Sequence, residues 1–164
     1  MAKKAPAAVA ALVPGRHLAV VELLDQHWAI ATIDTIAVVT PDEHGWRLAW
    51  SRPWYDVAGG DWDEDEHTLT ITWVDNSTGA TLTTLDDAPK HFPRVFKERV
   101  DSSIVYVEFE RIPGSRAQLR ASVRRKPDGE LFSQISATRD VRRTPELDEQ
   151  LAQLERRLWE IVGL

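Results

Sequence analysis

The sequence predicts a β-rich α+β single domain, a curved antiparallel sheet or partly open barrel with an inserted helix at about 93–104 and a C-terminal amphipathic helix at about 145–162. Three observations carry this expectation. The first half breaks into short β-branched and aromatic runs separated by turn residues. Near the C-terminus, Leu147, Leu151, Leu154, Leu158 and Val162 form one stripe at steps of four, three, four and four. The length of 164 residues allows one core burying about 70% of the unfolded surface without disulfides or metal. The domain is expected over 15–164, and residues 1–14 read as a loosely ordered tail, alanine-rich from Ala7 to Val13 and closed by Pro14-Gly15.

His17 to Leu24, Trp28 to Ile33 and Thr35 to Thr40 read as meander strands separated by Asp25-Gln26-His27 and Asp34, and Trp46 to Trp50 follows a turn ending at Gly45. Thr68 to Val74 is the clearest strand: Leu69, Ile71 and Trp73 face one side and Thr68, Thr70 and Thr72 the other. Asp75 to Gly79 is a turn, and Ala80 to Leu85 pairs back. Val95, Phe96, Val100 and Ile104 recur at helical spacing, whereas Val105, Val107 and Phe109 alternate like a strand. Ala117 to Arg125 and Leu131 to Thr138 flank a turn carrying Pro127 and Gly129. The last helix opens on Thr144 as cap and Pro145 as its first residue, and Gly163 stands where a left-handed terminator belongs.

The net charge of −6 argues against generic binding to nucleic acid or an anionic membrane surface, which depends on Lys and Arg neutralising phosphate. The layout is polarised. Pro41 to Asp75 carries nine acids against two bases, and Arg111 to Arg143 carries nine bases against three acids. No apolar run approaches the roughly 20 residues of a bilayer span, so membrane insertion is not expected. The absence of cysteine removes thiolate zinc sites, iron–sulfur clusters and cysteine nucleophiles, and fits a cytoplasmic location.

No catalytic, cofactor or metal site is expected. Asp61, Asp63 and Asp65 have calcium-loop spacing, but Glu66 replaces the glycine at position six and Thr72 the bidentate Glu at position twelve, so the run reads as a solvated loop. The five histidines are scattered, no Gly-x-Ser-x-Gly element occurs, and Gly59-Gly60 precedes acids that would repel a phosphate.

Five of the seven tryptophans fall between Trp46 and Trp73. Trp73 shares a face with Leu69 and Ile71, and Trp46 and Trp50 are placed with Leu48 on one strand face, so these read as core. Trp54, Trp62 and Trp159 are expected to be partly exposed, and Trp54 and Trp62 are candidate partner contacts. On the strand from Ala117, Leu119, Ala121 and Val123 take one face and leave Arg120, Arg124 and Lys126 on the other. Arg120, Arg124 and Arg125 could dock an acidic protein segment, or form a solvated face balanced by Glu residues of the closing helix.

Trp54-Tyr55-Asp56-Val57 leading into Trp62-Asp63, the strand Leu69 to Val74, Phe96-Lys97-Glu98-Arg99-Val100, Val123-Arg124-Arg125 and the closing Gly163-Leu164 resemble the uncharacterised small PH-like (pleckstrin-homology-like) proteins of high-GC Gram-positive bacteria, over about Leu12 to Leu164. The resemblance implies a fold more than an activity. PH-like domains that bind phosphoinositides carry several Lys and Arg between their first two strands. Here Asp25-Gln26-His27 has an acid and neither base, so such lipids are disfavoured.

The expected function is a non-enzymatic binding or adaptor module, using a sheet edge or the polarised surface to hold a protein partner or a second copy. The alternative is a carrier of a small apolar molecule or lipid in a cavity closed by the C-terminal helix, and a dispersed enzyme site is the third reading. A carrier needs an unfilled apolar cavity beneath that helix, and an enzyme needs converging titratable groups in a cleft.

Overall fold

The computed structural model describes residues 4–163. It is β-rich α+β, with ten strands in three antiparallel sheets among the described residues and no sheet closed into a barrel. The chain divides into two compact units: Met1–Trp73 with Ser77–Asp101, and Val74–Asn76 with Ser102–Leu164.

Unit one begins with α1 (Ala7–Ala10) and a four-stranded sheet of β1 (His17–Glu22), β2 (Trp28–Thr32), β3 (Thr35–Asp42) and β4 (Gly45–Pro53), paired in chain order. Every residue of β2 is buried, because the sheet is covered on both faces. On one face Trp28, Ile30, Ala37 and Val39 pack with Val9 and Val13. Residues 4–14 are therefore not the loose tail expected from their composition: two valines at helical spacing in the alanine run reach the core. The first three residues of that expected tail lie outside the described ones.

The register places Val21, Ala29, Ala31, Ile36 and Val38 together on the other face, all buried. In β4 a bulge intervenes, since Val38 pairs with Trp50 but Val39 pairs with Leu48. The extra residue sends Trp50 to the face opposite Trp46 and Leu48, which corrects their expected common face. Trp46 packs toward Val9 and Val13, while Trp50 meets Trp73 edge-on at 5.4 Å.

The second sheet is β5 (Val57–Asp63), β6 (Thr68–Trp73) and β7 (Ala80–Thr83), in that order. In β6, Leu69, Ile71 and Trp73 are buried and Thr70 and Thr72 exposed, as the period of two requires. The acidic run does not form one loop: Asp61 to Asp63 end β5, and Gly59-Gly60 lie inside it. A Cβ on Gly60 would come within 2.5 Å of Phe96 Cε1, so the strand carries a glycine where a ring lies against its backbone. That ring belongs to α2 (His91–Ser103), whose Phe92, Val95, Phe96 and Val100 are buried.

Unit two contains β8 (Ile104–Arg111), β9 (Gln118–Arg125) and β10 (Leu131–Ala137), with β9 central, followed by α3 (Pro145–Ile161). The Thr144 hydroxyl accepts from the Leu147 N–H at 3.1 Å, Pro145 opens the helix, and Glu146 and Asp148 sit in its positive first turn. Leu147, Leu154 and Leu158 are buried against Leu119, Ala121 and Val123, with Leu151 and Val162 half-buried beside them. The C-terminal helix thus covers this three-stranded sheet. In unit one the helix with a buried apolar face is α2.

Candidate functional site

The three candidate arginines do not form one solvated patch. Arg124 is fully buried, and its Nη2 donates to the Ser103 hydroxyl at 2.5 Å. Arg120 is partly buried, and desolvation lowers its pKa. Arg125, exposed, points to the opposite face by strand alternation. β9 is buried on both faces from Ala121 to Arg124, so local alternation could not reveal which arginines reach solvent.

The two candidate tryptophans also separate. Trp54, expected at the surface, is 3% exposed, donates its indole N–H to the Thr32 carbonyl at 2.9 Å and meets Phe96 edge-on at 5.8 Å. Its polar atom has a buried backbone partner, which allows the ring to serve as core. Trp62 is half-buried and donates to Glu64 Oε2 at 3.0 Å. Glu64 also accepts from Lys90, and these two hydrogen bonds, Lys90 first, hold its carboxyl below the ordinary glutamate range. Asp63 Oδ1 accepts the amides of Asp65 and Glu66, each at 3.0 Å, which shapes the hairpin turn. Among the described residues no three His, Cys, Asp or Glu gather as a metal-binding group.

The surface that the sequence left unassigned is the outer row of β8. Val107 and Phe109 are 38% and 55% exposed. They pair across the sheet with Ser122 and Arg120, on the face that α3 does not cover. On the other face, Arg157 of α3 donates to Glu108 and Glu110 at 2.9 Å each, and those carboxylates raise its pKa. Gln150 also donates to Glu110 and to the Arg111 carbonyl. One face of the edge strand is therefore tied to α3, and its apolar row is left open. The alternation of Val107 and Phe109 was visible in the sequence, but the side that α3 covers was not.

A groove of about 500 Å³ runs beside the start of α3. Glu146, Glu149, Gln150 and Gln153 line it together with Thr144, Leu147, Ile112 and Pro113, so polar and apolar groups share its walls. The side chains of the core cluster fill the contact between α3 and β9. No helix among the described residues is long and apolar enough to cross a membrane. No protein-family model matches this chain, and no curated protein or solved structure matches it.

Proposed function

We propose that the chain is a non-enzymatic protein-binding module that adds a strand to the outer edge of β8, with a second copy of itself as the partner it can supply. The exposed Val107 and Phe109 on an edge strand carry this reading. Edge strands present unpaired peptide groups and are ordinarily blunted by charge, proline or a covering element. On the row that β8 turns away from α3, the first charge after Phe109 is Arg111. The edge glutamates Glu108 and Glu110 are held by Arg157, so they offer little repulsion to a second β8. Antiparallel pairing of two copies is self-complementary and closes as a dimer.

The PH-like reading belongs to the same proposal. It is supported in unit one by antiparallel sheets whose apolar interior is joined by a buried helix face, α2. The absence of cysteine supports a cytoplasmic setting.

Sedimentation of the full chain over a concentration series tests this. The wild type should form dimers, and Val107→Thr with Phe109→Ser should return it to monomer without unfolding, because both residues are exposed. A wild type that stays monomeric at every concentration refutes it.

A further inference from the structure

Unit one leaves a second opening, bordered by β4 and β7, each the outermost strand of its sheet. The groove is about 480 Å³ and has Val38 and Thr40 of β3 in its lining. Four consecutive residues of β7, Ala80, Thr81, Leu82 and Thr83, border it. A strand turns alternate side chains to opposite faces, so consecutive residues line a groove only where it follows the strand's edge. The isolated bridge between Leu23 and Thr84 closes one end, where Leu24 and Asp25 also line the groove.

Two further observations describe the occupant. Thr40 lines the groove and is 7% exposed, and its buried hydroxyl has no hydrogen-bond partner among the described residues, so a donor that reached it would satisfy a polar atom now left without one. Asp25 is the one acidic side chain of the lining, and no Lys or Arg lines it. Unit one carries fifteen Asp and Glu against nine Lys and Arg while unit two carries eleven of each, so the whole net charge of −6 lies on unit one.

We propose that the groove between β4 and β7 binds an extended basic peptide by strand addition to β7, with a donor side chain at Thr40 and a Lys or Arg at Asp25. At about 3.4 Å per residue, a strand the length of β7 pairs with about four peptide residues. Main-chain hydrogen bonds along the edge supply affinity, and the Thr40 and Asp25 positions supply selection. This site goes beyond the β8 reading and does not rest on it.

The test uses the isotopically labelled full chain and two capped hexapeptides, one alternating Lys with Val and Thr, the other carrying Glu for every Lys. The basic peptide should produce saturable shifts in the amides of Ala80–Thr83 and in the Trp50 indole, assigned with Trp50→Phe. Its acidic counterpart should not. Thr40→Val should weaken the basic peptide about tenfold, and Asp25→Asn about threefold. Equal binding of both peptides, or no saturable change up to about 1 mM, would overturn the proposal. So would unchanged affinity in both variants. Shifts at Ala80–Thr83 that follow protein concentration without peptide would make a second copy the occupant, and would overturn it too.

Discussion

Arg124, buried in the middle of β9, donates to the hydroxyl of Ser103, the last residue of α2. The contact joins the point where helix passes into β8 to the central strand of the same sheet. A hydrogen bond to a buried charge is worth more than a neutral one, because the charge has left water. Ser103→Ala should therefore destabilise the protein by about 1.5–3 kcal/mol in urea titration. A loss within about 0.5 kcal/mol would show that the guanidinium does not depend on this hydroxyl.

Leu154 sits at 1% exposure in the seam between α3 and β9. Leu154→Ala should cost about 2–5 kcal/mol, the spread depending on how far the seam can collapse. Leu151→Ala, one turn away but half-buried, should cost less. Equal losses would mean that α3 does not pack as described.

Gly60 and Phe96 occupy space that cannot hold both a methyl group and the ring. Gly60→Ala should destabilise by about 1–3 kcal/mol. Phe96→Leu in the same chain should recover part of that loss in a double-mutant cycle, because the clash is with the ring edge. Additive losses would refute the steric account.

Glu64 is held below its ordinary pKa by hydrogen bonds from Lys90 and Trp62. Its folded value lies below its unfolded one, so the contact contributes at neutral pH and is lost as pH falls through the depressed value. The Trp62 indole resonance should titrate below the ordinary glutamate range, and Lys90→Ala should move that midpoint upward. A midpoint unchanged by Lys90→Ala would contradict the assignment.

The parts of this fold that were legible in the sequence are those governed by local chemistry. The β6 alternation and the Thr144 cap with its leucine stripe are set within a few residues, and both appear where their patterns place them. What escaped depends on distant partners. β5 was missed because Asp61, Asp63 and Asp65 read as a solvated loop, and the reason for a glycine inside the strand shows only once Phe96 is seen against Gly60. The bulge that turns Trp50 away from Leu48 leaves no local mark, and neither does the burial of both faces of β9, which takes Arg124 out of solvent. The candidate surface was hidden for the same reason. Val107 and Phe109 alternate like any buried row, and only their exposure in the folded chain sets them apart from Ser122 and Arg124, which are buried on the same face.

Hydrogen exchange along β8 at low and high protein concentration tests the central claim most directly, because strand addition protects the outward amides of that edge. The account predicts protection in Ile104–Arg111 that rises with concentration and is abolished by Val107→Thr with Phe109→Ser. Exchange in β8 that is the same at every concentration would contradict it.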